Sequence, residues 1–138
     1  MSPSLVLIDT SVWLLSLGRS AQPVIKKRVS ELLEENRVAI TPMITLEILG
    51  GARTEEEFDR LKSRLDALHQ IPLGKKEWEE AARIAFSLRR QGKAIPYTDI
   101  LIGTAAIKAE ALLLHADHHF GMMAESTGLL QESMLPLL

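Results

Sequence analysis

LVLIDTSVW, residues 5–13, is the stretch that decides the fold of this chain. Four consecutive apolar residues lead directly into a carboxylate, Asp9, and two hydroxyl residues follow it. A short apolar run bounded by polar residues is typical of a strand that is buried on both faces. Open α/β sheets place their ligands just beyond the carboxyl ends of such strands. Asp9 therefore lies at the position where parallel sheets carry their ligand-binding or catalytic residues. An Asp at this position can also simply cap the next helix.

The composition limits the class of protein. The chain has 138 residues, of which 46% are hydrophobic and 25% charged, as expected for one globular domain spanning residues 1–138. It contains no cysteine, which excludes disulfides and thiolate metal sites. We find no secretory signal and no apolar run long enough to cross a membrane, so we expect a cytoplasmic protein. With a net charge of -2, binding of nucleic acid must rely on local features rather than on global attraction.

Strand-like runs alternate with helical patterns along the chain. Apolar runs predict strands at Leu5–Ile8, Val38–Ile40 and Leu112–Leu114, with weaker candidates at Gln70–Leu73 and Ser126–Thr127. Apolar residues at spacings of three and four predict helices over 10–17 (ending near Gly18), 22–36, 41–49, 54–68, 74–90 and 97–109. This alternation predicts βαβ units, and hence an α/β fold with three α/β/α layers and a central, mostly parallel sheet flanked by helices.

Three further acids share with Asp9 an apolar sequence context. Glu47 lies within an apolar helix, Asp99 in the first turn of another, and Asp117 just past the last confident strand. Singly, each has an ordinary explanation, either a boundary side chain that reaches water or an acid that favours a helix start. Together they would converge on one edge of the sheet, where unpaired carboxylates repel one another and resist burial.

A divalent cation would resolve this crowding of negative charge. Mg²⁺ and Mn²⁺ prefer oxygen ligands and keep several bound waters. Such an ion can activate a water molecule and hold a phosphodiester for in-line attack. The pattern therefore predicts metal-assisted hydrolysis, and the proposed catalytic and metal-binding residues are Asp9, Glu47, Asp99 and Asp117.

Several motifs, taken in order along the chain, resemble one family. They are IDTSV at 8–12, TP at 41–42 with LE at 46–47, LRRQG at 88–92 with TDILI at 98–102, and LHADHHF at 114–120. Together they resemble the PIN-domain nucleases, and among these the VapC-like toxin ribonucleases of toxin–antitoxin pairs. The resemblance covers nearly the whole chain. It implies a parallel sheet flanked by helices and a metal-dependent endoribonuclease activity.

The same resemblance implies roles for individual residues. The family's acidic quartet corresponds to the four acids above, and its hydroxyl corresponds to Thr10 or Ser11, of which Ser11 is the better candidate and Thr10 starts the helix. Many members carry a further Asp where this chain has His119, which leaves a second metal position open. His119 can orient a water or contact phosphate, or it can be an ordinary surface histidine.

Cofactor and partners also follow from the resemblance. It implies Mg²⁺ or Mn²⁺, an RNA substrate and a homodimer without a membrane partner. It also implies a cognate antitoxin whose C-terminal segment lies in a groove. That segment can direct a basic side chain into the acidic site, where an Arg is a strong partner for carboxylates.

Cations and tryptophans have less specific patterns. Arg89, Arg90 and Lys93 precede the third acid and can contact RNA phosphates, or they can form a solvated helix end. Trp13 and Trp78 lie in helical patterns, where we expect them to pack inward.

Other functions fit part of this pattern. The fold can serve as an RNA- or partner-binding module that does not cleave, or as an RNA-maturation nuclease outside a toxin–antitoxin pair. Growth arrest that persists in Asp9→Asn would favour the binding module. A phosphoacceptor receiver domain also has acids at its strand ends. It needs an acidic pair after the first strand, however, and Asp9-Thr10 does not supply one.

Overall fold

The first strand forms the centre of a parallel sheet. The computed structural model describes residues 4–17 and 21–138. The strands are β1 (Val6–Ile8), β2 (Val38–Ile40), β3 (His69–Gln70), β4 (Leu112–His115) and β5 (Gln131–Ser133). They lie in the order β3-β2-β1-β4-β5, and every pair of neighbours is parallel. All residues of β1 and β2 are buried, which explains why their sequences are continuous apolar runs rather than alternating ones.

Seven α-helices surround this sheet in the described part of the chain. They are α1 (Thr10–Ser16), α2 (Pro23–Glu34), α3 (Pro42–Gly50), α4 (Glu55–Asp66), α5 (Lys75–Arg90), α6 (Tyr97–Ala109) and α7 (His118–Ala124). The predicted three-layer α/β/α architecture is confirmed, and the predicted helices match within two residues at each end. No helix among the described residues is both long and apolar enough to span a membrane.

Side chains cap some of the helix starts but not others. The Thr54 hydroxyl accepts a hydrogen bond from Glu57 N at 3.0 Å and so caps α4. Thr41 does not cap α3, because its side chain makes no capping bond and its buried hydroxyl has no hydrogen-bond partner in the described structure. Pro42, in the first turn, is the remaining local signal for that helix start.

Two predicted strands differ from the structure. The edge strand predicted at Ser126–Thr127 is wrong: the chain turns there, with the Thr127 hydroxyl donating to a carbonyl of α7, and the edge strand is β5. The third strand comprises only two residues, His69 and Gln70. Gly18, the predicted end of the first helix, lies outside the described residues.

The buried stripe of α5 is narrower than its sequence pattern predicts. Ala81 and Leu88 are its buried residues, whereas Trp78 is 56% exposed, so the prediction that Trp78 packs inward is wrong. Trp78 lies at the rim of a groove between α5 and α6 instead of in the core. Trp13, in contrast, is buried as predicted.

The strand order brings the ends of β1 and β4 together. β1 pairs with β2 on one side and with β4 on the other, so the chain connections diverge between β1 and β4. Parallel sheets form a ligand-binding crevice beyond the carboxyl ends of the strands at such a switch point. Asp9 N donates to Leu114 O at 2.9 Å, which continues the pairing of these strands up to the first acid.

Candidate metal centre

Asp9 is held at the end of β1 by hydrogen bonds from its own neighbour. Its carboxylate caps α1 by accepting from Ser11 N at 3.1 Å, and it also accepts from the Ser11 hydroxyl. The same Ser11 oxygen accepts from Ala116 N at 3.0 Å. Asp9 is only 5% exposed, so it is at once a helix cap and a buried strand-end acid. Ser11 therefore links Asp9 by hydrogen bonds to the loop that carries Asp117.

Asp117 is oriented in the same manner at the end of β4. Its side chain accepts from His119 N at 2.9 Å and caps α7. Two acids that cap helices therefore stand at neighbouring strand ends, each oriented by a backbone N–H two residues further along the chain.

Asp99 enters the crevice from the first turn of α6. Its side chain is 13% exposed. Burial, followed by the negative charges of Asp117 and Asp9, raises the pKa of Asp99 to about 7. A carboxyl group titrates so high when the protein supplies too little positive charge to stabilise its ionised form. The structure thus brings three of the four predicted acids into one electrostatically unfavourable cluster.

Glu47 reaches toward this cluster from α3 and is the only exposed residue among the four acids. Burial of its carboxyl group raises the pKa of Glu47, a hydrogen bond from Thr10 opposes this, and the charge of Asp9 raises it further. The Thr10 hydroxyl donates to Glu47 Oε1 at 2.8 Å. Thr10 therefore contacts the site, although the sequence suggested only that it starts α1. The two residues are 37 positions apart on different helices, so no local sequence signal indicates this bond.

His119 lies between two of the acids. Its Nδ1 atom is 2.9 Å from Asp117 Oδ1 and 3.3 Å from Asp99 Oδ2. This nitrogen is buried and, within the described residues, has no partner in hydrogen-bonding geometry. The neighbouring His118 is 71% exposed, and the two rings are 4.1 Å apart. His119 is therefore part of the crevice, whereas His118 lies at its outer edge.

The donor atoms fit a hard divalent cation. The crevice collects carboxylate oxygens from several chain segments and one orphaned ring nitrogen. Asp117, His118 and His119 each offer a ligand atom, and these atoms lie within 4.8 Å of one another. A cation held here would remove the repulsion that raises the pKa of Asp99.

Lys93, one of the three cationic residues that precede Asp99 in the sequence, makes its contacts with the end of α7 and the residues that follow it. Its ammonium group donates to Ser126 Oγ at 2.7 Å and to Met122 O at 3.2 Å, and it pairs with Glu125 at 3.1 Å. These contacts fasten the loop before α6 to the end of α7. Lys93 thus has a structural role.

The PIN-domain sequence profile matches residues 6–125 of this chain. The chain therefore belongs to the PIN-domain family. Within that family it is VapC-like, since it is 32% identical over 125 residues to ribonuclease VapC51 of Mycobacterium tuberculosis, with 88% of this chain and 87% of the relative covered. Ribonuclease VapC18 of the same organism is 26% identical over 133 residues, with 94% of each chain covered.

A solved structure has the same fold. VapBC2 from Rickettsia felis, bound to a DNA fragment from its promoter, superposes with a TM-score of 0.76. The match covers 94% of this chain and 98% of that chain at 19% sequence identity, a level at which the likeness shows the fold alone.

Proposed function

We propose that this chain, as a single PIN-like nuclease domain, is a metal-dependent endoribonuclease and the cytoplasmic toxin of a toxin–antitoxin pair. The observation that carries this proposal is the convergence of Asp9, Asp99 and Asp117 at the switch-point crevice, with Glu47 beside them. Membership of the PIN-domain family and likeness to proteins named ribonuclease support RNA as the substrate.

Each acid has a distinct place in the proposed site. Asp9, Asp99 and Asp117 are the proposed direct ligands of Mg²⁺ or Mn²⁺, and Glu47 completes the acidic set from α3. When bound, the ion supplies an activated water and a binding site for the scissile phosphate. Ser11 keeps the carboxylate of Asp9 in one orientation. Because bare carboxylates repel an RNA phosphate, the acids suit this substrate only in the metal-bound state.

Isosteric removal of the charge tests the proposal. Asp9→Asn and Asp99→Asn are each expected to lower RNA cleavage about 100-fold or more and to abolish growth arrest. Asp66→Asn is the matched control, because Asp66 is an exposed acid of α4 whose ion pair in the described part of the chain is with Lys62. EDTA should stop cleavage by the wild type, and Mg²⁺ or Mn²⁺ should restore it. Normal cleavage by either site variant, or cleavage that EDTA does not affect, would show that the function is different.

An antitoxin is the proposed inhibitory partner. The antitoxin segment that fits this chain would be apolar and would end in a basic side chain, because exposed leucines of this chain lie on the helices beside the acids. Leu14 is 66% and Leu46 64% exposed, on the two helices that the Thr10–Glu47 bond joins. Leu46→Glu should weaken antitoxin binding in calorimetry and leave RNA cleavage intact, whereas unchanged affinity would exclude this surface.

A homodimer is the second proposed assembly. The groove between α5 and α6 has a volume of about 650 Å³, and three exposed aromatic residues line it. They are Trp78, Phe86 and Tyr97, each more than half exposed. A contiguous apolar surface of this kind is typical of a protein–protein interface.

The charges along α5 favour a second copy of this chain as the occupant of the groove. Glu79 lies near the start of the helix, where it forms an exposed ion pair with Lys75 at 4.0 Å. Arg89 and Arg90 form the last turn, and neither makes an ion pair among the described residues. A two-fold axis level with Ile84 would pack two α5 helices antiparallel. Phe86 would then face the small side chain of the partner's Ala82, and Arg89 would face the partner's Glu79. The helix is thus complementary to itself in both shape and charge.

A further inference from the structure

His119 introduces a nitrogen donor into a site whose other candidate ligands are oxygen atoms. The environment of its Nδ1 atom is unusual for a buried polar atom. It faces two carboxylates within 3.3 Å and yet is aligned with neither for a hydrogen bond. Buried polar atoms are almost always satisfied, so an orphaned one calls for a missing partner such as a metal ion. The missing partner must attract both carboxylates and the lone pair of an imidazole.

The spacing of these atoms matches that of ligands on a shared ion. Ligands at right angles around an octahedral ion, each about 2.1 Å from it, are about 3 Å apart. The measured separations, 2.9 Å to Asp117 and 3.3 Å to Asp99, are close to this value. The backbone N–H of His119 also donates to Asp117, so the first turn of α7 holds both side chains as one unit.

We infer that His119 is a metal ligand through Nδ1, together with Asp99 and Asp117, and that it shifts the preference of the site from Mg²⁺ toward transition-metal ions such as Mn²⁺. This inference rests on the proposed function, because it concerns the same site. Mg²⁺ is bound by oxygen ligands, whereas an imidazole nitrogen suits first-row transition metals. The proton of the ring must then reside on Nε2, which leaves the lone pair of Nδ1 directed at the ion.

Electron paramagnetic resonance of Mn²⁺ added to the metal-free protein tests the assignment directly. The bound ion should show a hyperfine coupling to an imidazole nitrogen in the wild type. His119→Ala and His119→Asp should lose this coupling. His69→Ala, which removes an exposed ring on β3, should retain it. A wild type that does not bind Mn²⁺ or lacks the coupling, or a coupling that survives in His119→Ala, would overturn the inference.

Calorimetry with Mn²⁺ and Mg²⁺ measures the preference itself. The ratio of Mn²⁺ to Mg²⁺ affinity should fall about tenfold in His119→Asp and stay unchanged in His69→Ala, which removes an exposed ring on β3. An equal ratio in the wild type and His119→Asp would contradict the claim. These measurements do not depend on RNA cleavage. A nitrogen coupling without nuclease activity would refute the proposed function alone, and EDTA-sensitive cleavage without the coupling would refute the ligand assignment alone.

Discussion

The crevice beyond β1 and β4 contains buried charged groups, whereas the groove between α5 and α6 contains exposed apolar groups. In the crevice, carboxylates are buried, with Asp9 5% and the Asp99 side chain 13% exposed. In the groove, aromatic rings are in contact with solvent, with Trp78 56% and Phe86 66% exposed. An isolated globular chain favours the reverse arrangement in both places. A cation in the crevice and an apolar surface over the groove would each remove this imbalance.

The two regions also differ in how rigidly their side chains are held. Asp9 and Asp117 are oriented by backbone N–H groups, and a second hydrogen bond from Ser11 restrains Asp9. The groove residues stand on the outer faces of their helices, where the restraints are a hydrogen bond of 3.3 Å from Arg89 to the Tyr97 hydroxyl and cation–π contacts of Arg89 with Tyr97 and of Arg90 with Phe86. Substitutions in the crevice should therefore alter metal binding and folding, and substitutions in the groove should alter only association.

The largest expected effect is the loss of the dimer in Phe86→Glu. A carboxylate in place of the aromatic ring at the centre of the interface removes apolar contact area and must be desolvated there, so it should weaken association about 100-fold or more. Analytical ultracentrifugation in the micromolar range should detect a dimer for the wild type and a monomer for the variant. Leu14→Glu is the control, because Leu14 is equally exposed on another helix. A wild-type monomer, or a Phe86→Glu dimer of wild-type stability, would contradict the assignment of this face.

A charge reversal tests the orientation of the two copies. Glu79→Arg should weaken the dimer about tenfold, because it would face the arginine-rich last turn of the partner. Adding Arg89→Glu to Glu79→Arg should restore most of the affinity. Failure of this rescue would argue against antiparallel packing of α5, even where the Phe86→Glu result holds.

Thr10→Val should produce a smaller effect, confined to the crevice. The substitution keeps the shape of the side chain and removes the hydrogen bond to Glu47. Loss of such a supporting contact should reduce Mn²⁺ affinity and RNA cleavage about tenfold. Thr10→Ser keeps the hydroxyl and should stay near the wild type in both measurements. Identical Mn²⁺ affinity and RNA cleavage in the Val and Ser variants would mean that the hydrogen bond from Thr10 to Glu47 does not contribute to either property.

Ser11→Ala should reduce the free energy of unfolding. It removes a hydrogen bond to Asp9 and leaves Ala116 N without its acceptor, at an expected cost of about 1–3 kcal/mol. Urea denaturation in EDTA measures this change. Ser30→Ala, a substitution at an exposed position in the middle of α2, should leave the free energy of unfolding almost unchanged. A Ser11→Ala protein as stable as the Ser30→Ala control would show that Ser11 does not join the two strand ends.

Asp99→Asn should stabilise the metal-free protein, with a smaller and pH-dependent effect. The pKa of Asp99 is raised from 3.8 to about 7, so the wild type loses stability as the pH rises through this range. Asn carries no charge, and its advantage should grow between pH 5 and pH 8 by on the order of 1 kcal/mol, or about 4 °C in Tm. Thermal unfolding in EDTA at several pH values measures this, and a pH-independent difference would contradict the cause assigned to the shift.

The sequence carries most information where a side chain is fixed by its near neighbours. Asp9 and Asp117 each follow an apolar strand and bond to a residue two positions further on, so their places can be read locally. The bond from Thr10 to Glu47 depends on how α1 packs against α3, which no pattern within either helix specifies.

The same limit explains the errors in α5 and at the sheet edge. Helical spacing defines the apolar face to which Trp78 belongs, but it does not tell whether the rest of the chain covers that face. The edge strand β5 is short, polar and half-buried, so it lacks the continuous apolar run that marks β1 and β2.

Thermal unfolding of the wild type and Asp99→Asn at pH 8, with and without Mn²⁺, tests most directly whether the acid cluster is a cation site. Without the ion, Asp99→Asn should melt at the higher temperature, because it lacks the uncompensated charge. Saturating Mn²⁺ should raise the Tm of the wild type by about 8 °C or more and move it above the variant, whose Tm should hardly change. Equal gains in both proteins, or no gain in the wild type, would contradict the account.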